Sequence, residues 1–401
     1  MATAGPVTGY TVATPGGSQD LGSRYVSKNY LLDLYPNLVP GITSPGLWSC
    51  GYNLNGYLGN GTITSYSSPI QVGSQTNWKQ VSANVKNTAA VKTDGTLWTW
   101  GLNNAGQLGN GNTTSYSSPI QVGALTTWKQ VACGYATMLA IQADGTLWAW
   151  GSNAKSQLGV SASTSLAYSS PIQVGALTNW KQVSCGASVM LAVKTDGTLW
   201  GCGYNTFNGQ LGNGTTTTYF SPIQIGALTD WKFVTVDGSA GATAALKVDG
   251  SLWTWGNNNQ GGLGNNNRTS YSSPVQVGAL TNWKQVSVGS YHTTAIKADG
   301  TLWAWGMDSY GQLGNGNRTS YSSPIQIGSL TNWKQVAAGK DFTLAVKTDG
   351  SLWSCGYNGA GQLGTGNTTS YSSPVQVGAL TTWKQVACGY RHTVAIKDGY
   401  L

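Results

Sequence analysis

The feature that most constrains the fold of this chain is a segment that returns seven times at near-constant spacing. A Leu-Trp-x-(Trp/Cys)-Gly segment occurs every 50 to 53 residues and begins at Leu47, Leu97, Leu147, Leu199, Leu252, Leu302 and Leu352. A second landmark, Trp-Lys, keeps the same phase and begins at Trp78, Trp128, Trp180, Trp231, Trp283, Trp333 and Trp383. Because self-similarity at a period of about 50 residues is typical of repeat architectures, we interpret the chain as an array of seven units.

Each unit predicts short β-strands joined by tight turns. In the copy that starts at Trp128, apolar and polar side chains alternate, an apolar run follows from Met138, and Asp144-Gly145 leads into the Leu147 strand. Asp-Gly between two β-type runs supplies the positive φ angles of a tight hairpin turn. The Gly- and Asn-rich stretch that follows predicts a loop, and Tyr-Ser-Ser-Pro-Ile-Gln predicts a further strand. Four short strands per unit make one blade of a β-propeller.

The two ends of the chain predict how the propeller closes. The last unit stops at residues 398–401 without its Leu-Trp strand, whereas the copy at Leu47 has no Trp-Lys unit before it. We therefore expect an all-β, seven-bladed β-propeller of four-stranded blades over residues 46–401, in which the N-terminal strand completes the last blade. Residues 1–45 match no repeat and predict an N-terminal arm. Packing of this arm on the propeller and docking to a neighbouring subunit both stay open.

The composition limits the chemistry that the chain can perform. Charged residues make up only 8% of the sequence, and all 13 acidic residues are Asp. The net charge of +8 comes largely from Lys at two fixed repeat positions, one after a Trp and one before a turn. Because charge spread around a ring is interpreted as a solvated surface, a nucleic acid partner is not expected. The six Cys echo two repeat positions, so they are interpreted as small buried hydrophobes and not as a disulfide framework or metal site.

Candidate catalytic and cofactor motifs are weak. The Gly-x-x-Gly-x-Gly loops recur in most units before a Pro-containing segment, whereas a phosphate-binding loop needs a helix after it. The two histidines, His292 and His392, share one repeat position and are expected to pack. With no Glu in the chain and most Asp in turns, neither a nucleophilic triad nor a catalytic carboxylate pair is predicted. We therefore expect no enzyme activity, no cofactor and no metal.

The repeat resembles that of the regulator of chromosome condensation family. The residues that carry the resemblance are Trp98-Thr-Trp-Gly101, Asn104-Ala-Gly-Gln-Leu-Gly109 and Gly289-Ser-Tyr-His-Thr293. The resemblance implies a seven-bladed propeller and leaves function open, since the family includes a Ran exchange factor, chromatin binders and ubiquitin-ligase domains. The resemblance also implies that exchange activity depends on an acidic contact surface and on a wedge that projects from one blade. This sequence predicts neither feature. The near-identity of the copies resembles bacteriophage and bacterial members.

The copies diverge most at one triplet after the Trp-Lys strand. The seven triplets are Val85-Lys86-Asn87, Tyr135-Ala136-Thr137, Ala187-Ser188-Val189, Ala240-Gly241-Ala242, Ser290-Tyr291-His292, Lys340-Asp341-Phe342 and Tyr390-Arg391-His392. Divergence within an otherwise copied chain is expected where recognition is asymmetric, although neutral drift of an exposed loop is the alternative. The last three triplets gather aromatic, basic and imidazole groups and predict a binding surface of Tyr291, His292, Lys340, Asp341, Phe342, Tyr390, Arg391 and His392.

These features lead to three hypotheses of function. The leading one is a non-catalytic binding or structural propeller on the surface of a bacteriophage virion, as a tail or capsid appendage for assembly or host attachment. Its expected partners are other virion subunits, through the N-terminal arm, and a host-surface glycan or protein, without membrane insertion. It rests on the phage-like repeats, the lack of a secretory pattern at the N-terminus and the low charge. The alternatives are an intracellular adaptor or exchange-factor-like regulator, and a lectin-like glycan binder.

Overall fold

The computed structural model describes residues 12–14, 17–19, 46–160, 166–206, 208–236 and 241–399. The chain divides into two compact units, Pro45–Asp398 and a second that combines Met1–Ser44 with Gly399–Leu401. In the second unit, β1 (Val12–Thr14) and β2 (Gly17–Gln19) form an antiparallel hairpin. The rest of the predicted N-terminal arm lies outside the described residues, and so does the choice between packing and docking.

The described residues of the larger unit form seven antiparallel sheets of four strands each, as predicted. In six sheets the strands follow one another along the chain, and we number these blades 1 to 6 from the N-terminus.

Blades 1 to 3 consist of β5 (Trp78–Ala83), β6 (Asn87–Lys92), β7 (Leu97–Gly101) and β8 (Tyr116–Gln121); β9 (Trp128–Cys133), β10 (Thr137–Gln142), β11 (Leu147–Ser152) and β12 (Ala167–Gln173); and β13 (Trp180–Cys185), β14 (Val189–Lys194), β15 (Leu199–Gly203) and β16 (Tyr219–Gln224). Blades 4 to 6 consist of β17 (Trp231–Val236), β18 (Ala242–Lys247), β19 (Leu252–Gly256) and β20 (Tyr271–Gln276); β21 (Trp283–Val288), β22 (His292–Lys297), β23 (Leu302–Gly306) and β24 (Tyr321–Gln326); and β25 (Trp333–Ala338), β26 (Phe342–Lys347), β27 (Leu352–Gly356) and β28 (Tyr371–Gln376).

Blade 7 joins the two ends of the propeller. Its strands are β29 (Trp383–Cys388), β30 (His392–Lys397), β3 (Gly46–Gly51) and β4 (Tyr66–Gln71), in that order. β30 and β3 pair in one continuous register that places Trp48 opposite Ala395. The predicted closure is therefore confirmed, and it removes two open sheet edges by pairing the chain's first propeller strand with its last.

The Asp-Gly turns join the second and third strands of blades 1 to 6, as predicted. In blade 2, Gly145 has a φ of 82°, and Asp144 Oδ1 accepts hydrogen bonds from the Thr146 backbone N–H at 2.9 Å and hydroxyl at 2.7 Å. Because these bonds favour the ionised carboxylate, they lower the pKa of Asp144. The same pair of bonds recurs at Asp94, Asp196, Asp249, Asp299 and Asp349.

The Lys residues that end the second strands are buried, so their interpretation as solvated charge is wrong. Lys297 is 6% exposed, and its Nζ lies 3.5 Å from the centre of the Trp303 ring and 4.9 Å from that of Trp283. The rings attract the ammonium group while the aliphatic stem fills the core. The same sandwich holds Lys92, Lys194, Lys247 and Lys347. The Lys residues that follow a Trp are exposed, as expected.

Neighbouring blades are joined by hydrogen bonds to loop carbonyl groups. Trp305 Nε1 of blade 5 donates to Gly262 O of blade 4 at 2.9 Å, and Thr293 Oγ1 donates to the same oxygen at 2.7 Å. In blade 6, Cys355 replaces this Trp, and its Sγ lies 3.7 Å from Gln312 O. The free Cys residues are buried, apart from the half-buried Cys388, which agrees with their predicted packing role.

The first strands surround a central cavity of about 270 Å³ and are clipped together by Gln side chains. Gln285 Nε2 donates to Val336 O, and its Oε1 accepts from Val336 N, both at 3.1 Å. Equivalent two-bond clips join blade 1 to 2, 3 to 4, 6 to 7 and 7 to 1. Blade 4 carries Phe233 at this position and cannot form the clip to blade 5.

Candidate functional site

The two ends of the strands define two faces of the propeller. We call the end with the Asp-Gly turns the turn face, and the end with the divergent triplets the variable face. The variable face also carries the Asn- and Gly-rich loops that follow the third strands. Backbone hydrogen bonds join triplet and loop within a blade, from Tyr357 N to Asp341 O at 2.8 Å and from Met307 N to Tyr291 O at 2.9 Å. The predicted site residues therefore lie beside loops that the sequence marks only as turns.

Three of the predicted site residues are buried in the core. His292, Phe342 and His392 each begin the second strand of their blade and are at most 1% exposed. The equivalent residue is buried in the other blades as well, whatever its identity, because it lies between adjacent blades: Asn87, Thr137, Val189 and Ala242. Burial agrees with the packing role predicted for the two histidines and removes all three side chains from the exposed surface.

The hydrogen bonds of His292 determine which ring nitrogen carries the proton. His292 Nε2 lies 3.0 Å from Thr343 Oγ1, and that hydroxyl donates its single proton to Gln312 O at 2.7 Å. The imidazole must therefore donate through Nε2. Burial lowers the pKa of His292 to about 3, so the ring is neutral near physiological pH. His392 repeats the arrangement against Thr88, and burial lowers its pKa to about 4.

Lys340 and Asp341 form an ion pair at the edge of the variable face. Lys340 Nζ lies 3.6 Å from Asp341 Oδ2 and 4.5 Å from the centre of the Tyr390 ring in blade 7. Asp341 is only 7% exposed, and burial raises its pKa although the Lys340 charge acts in the opposite direction. Asp341 thus orients the Lys340 side chain across the boundary between two blades, while its carboxylate stays hidden from solvent.

Arg391 completes an aromatic and basic cluster with two Tyr residues that the triplets alone do not reveal. Its guanidinium carbon lies 5.7 Å from the Tyr357 ring centre and 5.8 Å from that of Tyr390. Tyr357 packs edge-on against Tyr310, with ring centres 4.9 Å apart. Tyr310 and Tyr357 belong to the loops after the third strands. In the sequence, the only sign that these two residues belong to the site is that the loop residues at their positions differ among the copies. We call Tyr310, Lys340, Tyr357, Tyr390 and Arg391 the blade 5–7 patch.

Cations elsewhere on the variable face also lie over Tyr rings of a neighbouring blade. Lys86 Nζ is 5.4 Å from the Tyr135 ring centre, and Lys155 Nζ is 4.4 Å from that of Tyr204. Tyr291, the remaining predicted site residue, is 38% exposed on this face. Among the described residues of the face, the carboxylates are Asp308 and Asp341, and both are buried. The exposed charge of the described variable face is therefore positive.

The described residues assemble no group of three or more His, Cys, Asp or Glu side chains that could hold a metal ion. Burial keeps both histidines neutral and places their rings between blades, which is unsuitable for proton transfer to a bound molecule. The part of the chain described by the structure also contains no helix that could span a membrane. What the geometry does offer is a surface for binding.

Family comparison identifies the class of protein that this fold defines. The family described as RCC1-like domain matches residues 41–333, and the regulator of chromosome condensation (RCC1) repeat matches residues 333–362 and 349–396. The chain therefore belongs to the RCC1-like domain family. This agrees with the resemblance of its repeats to those of the regulator of chromosome condensation family.

Curated relatives match a part of the chain. The ultraviolet-B receptor UVR8 of Arabidopsis thaliana is 36% identical over 128 residues, which are 31% of this chain and 29% of the receptor. The human E3 ubiquitin-protein ligase HERC2 is 34% identical over 120 residues, which are 29% of this chain and 2% of the ligase. The chain thus spans less than a third of these relatives.

Solved structures share the fold over most of the chain. Human WBSCR16 superposes with a TM-score of 0.79 at 21% identity and covers 90% of this chain and 100% of that one. Saccharomyces cerevisiae Prp20p, whose structure is described with its binding properties to Gsp1p and histones, superposes with a TM-score of 0.78 at 19% identity, over 92% of this chain and 95% of that one. Yeast RCC1 (Prp20) bound to Kap60 gives a TM-score of 0.79 at 19% identity, over 98% of this chain and 97% of that one.

Proposed function

We propose that this propeller is a non-catalytic binding protein that holds an acidic segment of a partner protein against the blade 5–7 patch. The observation that carries the proposal is the clustering of Lys340 and Arg391 with Tyr310, Tyr357 and Tyr390, on a face whose described carboxylates are buried. Binding is also the role that the reported structure of Prp20p describes for that protein, with Gsp1p and histones.

The chemistry of the patch suits a carboxylate-bearing partner. Arg391 offers a planar fork of donors that matches a carboxylate in two-bond geometry, and Lys340 offers a compact charge. Tyr and Arg are enriched among the residues that dominate interface energies, because rigid aromatic surface is buried at little entropic cost. Asp341 and the Tyr rings hold the two cations in place before a partner arrives, which reduces the ordering that binding requires.

Fluorescence anisotropy with labelled peptides of graded Asp and Glu content tests the proposal. We expect acidic peptides to bind more tightly than neutral or basic ones, and Arg391→Ala to weaken their binding by about tenfold. The matched control is Lys384→Ala, which removes one positive charge from the turn face, where Lys384 lies 3.5 Å from Asp398. Equal losses in the two variants, or no preference for acidic peptides, would contradict a specific patch.

The more specific prediction of a virion-surface appendage is retained as part of the proposal and rests on the near-identity of the repeats. A virion protein of this kind would present the variable face to its partner. Purified particles provide the test: the protein co-sediments with intact virions if the prediction holds and stays in the soluble fraction if it does not.

A further inference from the structure

One loop residue of the variable face breaks a hydrogen-bonding pattern that the other copies share. The second residue after the Gly that ends the third strand is Asn in six blades: Asn53, Asn103, Asn153, Asn205, Asn258 and Asn358. In blade 5 the same position holds Asp308.

The Asn of blade 4 shows what the position requires. Asn258 Oδ1 accepts from Leu263 N at 3.0 Å. Its Nδ2 donates to Asn265 Oδ1 at 3.1 Å and to the backbone oxygens of Asn267 and Thr269, each at 3.0 Å. With Asn267 Oδ1 at 3.3 Å, four acceptor oxygens thus converge on one side-chain NH₂ group, and this amide holds the loop together.

Asp308 keeps one half of this arrangement and cannot make the other half as a carboxylate. Its Oδ1 accepts from Leu313 N at 2.9 Å, which is the counterpart of the bond in blade 4. Its Oδ2 is buried and has no hydrogen-bond partner. By the 50-residue register, the groups expected around this atom are the Asn315 side chain, whose Nδ2 is also buried without a hydrogen-bond partner, and the backbone oxygens of Asn317 and Thr319.

A bare carboxylate oxygen that faces two backbone oxygens is unfavourable, whereas a carboxylic acid O–H is a donor in the place of the Asn N–H. Burial is the main cause that raises the pKa of Asp308 to about 7, against the Leu313 N–H and the Arg318 charge. Arg318 is exposed and has a counterpart, Arg268, at the same position of the blade 4 loop, where the partner residue is Asn, so Arg318 is no dedicated partner for the carboxylate. The other titratable group nearby is the buried Cys355 thiol, whose pKa is raised chiefly by burial.

We propose that Asp308 is protonated in the folded protein and that loss of this proton loosens the blade 5 loop, so that the loop is a pH-sensitive element. Tyr310 lies two residues further along the same loop and packs on Tyr357. Ionisation of Asp308 would therefore disturb the blade 5–7 patch. This consequence for binding rests on the proposed function, whereas the protonation of Asp308 does not depend on it.

A bound cation is the competing explanation for an unpartnered carboxylate oxygen. Calcium takes six to eight oxygen ligands, at about 2.3–2.6 Å. The site supplies one carboxylate, in a space that holds an amide group in the neighbouring blade, so an added ion requires the loop to expand. A proton requires no expansion.

Hydrogen exchange measured by mass spectrometry at about pH 4 and about pH 8.5 tests the proposal without any ligand. The loop 307–320 of the wild type is compared with that of Asp308→Asn at each pH, so that the intrinsic pH dependence of exchange cancels. We expect the two proteins to be equally protected at the lower pH, and the wild-type loop to lose up to about 30-fold in protection relative to the variant at the higher pH.

Transfer of the residue provides the matched control. Asn258→Asp is expected to bring the same pH dependence to the loop 257–270 of blade 4 and to leave blade 5 unchanged. Equal protection of the wild type and Asp308→Asn at both pH values would overturn the proposal, even if Asn258→Asp fails to fold. Protection restored at about pH 8.5 by added CaCl₂ or NaCl in the wild type alone would also overturn it, in favour of a cation site. Peptide binding at the patch can fail independently of either result.

Discussion

The turn face and the variable face of the propeller derive from the same repeat, yet the Asp-Gly turns of the turn face are copied faithfully and the triplet turns of the variable face are not. On the turn face, a side chain makes the essential bonds, as Asp349 does by accepting from the backbone N–H and the hydroxyl of Ser351. On the variable face, the triplet turn is held by a backbone bond such as that from Gly289 N to His292 O at 2.8 Å. A turn that needs no particular side chain allows its residues to diverge, and recognition can then be built on it without loss of the fold.

The two faces also differ in charge. The turn face interleaves Asp residues with the exposed Lys that follow each Trp, and pairs such as Lys384 with Asp398 form there. The described part of the variable face presents cations on Tyr rings, and its carboxylates are buried. Interspersed charges of both signs largely cancel one another's field, whereas an uncompensated cluster favours a partner of opposite sign.

The largest expected effect separates the architectural demands of the two faces. Gly300 on the turn face and Gly241 on the variable face have nearly the same φ, 80° and 81°. A Cβ at Gly300 would collide with Thr331 O, whereas among the described residues the atom nearest to a Cβ at Gly241 is Gln210 Cβ at 3.8 Å. We expect Gly300→Ala to lower the free energy of unfolding by about 3 kcal/mol and Gly241→Ala by about 1 kcal/mol in urea titrations. Equal losses of unfolding free energy in the two variants would show that the turn face tolerates a side chain at such a Gly as well as the variable face does.

The next effect is a pH dependence of opposite sign on the two faces. Hydrogen bonds from Ser351 lower the pKa of Asp349, so its contribution to stability is present above about pH 4 and is lost as the pH falls. The pKa of Asp308 is raised from 3.8 to about 7, so its contribution is present below about pH 4 and is lost as the pH rises towards 7.

We therefore expect Asp308→Asn to be more stable than the wild type above pH 7, by about 2 kcal/mol, and to match it near pH 4. Asp349→Asn serves as the control and is expected to weaken the protein above pH 4 instead. Urea titrations across this pH range provide the measurement. A wild type whose stability shows no decline between about pH 4 and 7 relative to Asp308→Asn would contradict the assignment.

A smaller effect concerns the buried cations near the turn face. Lys347 Nζ lies 3.7 Å from the centre of the Trp353 ring and 5.0 Å from that of Trp333. We expect Lys347→Ala to destabilise the protein by about 1.5 kcal/mol, because both the cation–π contacts and the packing of the stem are lost. Blade 2 carries Gln142 at this position, so Lys347→Gln is the matched control and should cost less. Thermal unfolding distinguishes the two, and an Ala variant as stable as the wild type would show that the Trp contacts of Lys347 do not stabilise the protein.

The smallest effect is a gain in stability at the cavity wall, away from both faces. Phe233→Gln introduces the side chain that clips most other blade boundaries and is expected to bond to the backbone of Val286 in blade 5. Two added hydrogen bonds should stabilise the propeller by about 1 kcal/mol, measured by urea titration. Binding of acidic peptides is expected to stay unchanged, because the substitution leaves the variable face intact. A loss of stability would mean that the packing of Phe233 stabilises the propeller more than the two added hydrogen bonds do.

The triplets show how far the candidate site could be predicted. Their divergence pointed to one end of the blades, where the structure brings Lys340, Asp341, Tyr390 and Arg391 close to one another; that they bind a partner stays a prediction. The third member of each triplet could not be told apart from the others in the sequence, since divergence alone does not distinguish a loop residue from the start of a buried strand. Tyr310 and Tyr357 lie far from Arg391 in sequence, and only the packing of adjacent blades places them together.

The number of blades, the strands within them and the closure of the ring followed from the sequence by itself, because repeated landmarks and Asp-Gly turns are local signals that recur in phase. The tertiary structure alone decided which Lys are buried between Trp rings, which Gln clip neighbouring blades and which side chains share the blade 5–7 patch. These depend on contacts between strands and between blades, and the energy of such a contact belongs to a pair of residues that are distant in sequence, so neither residue reveals it by itself.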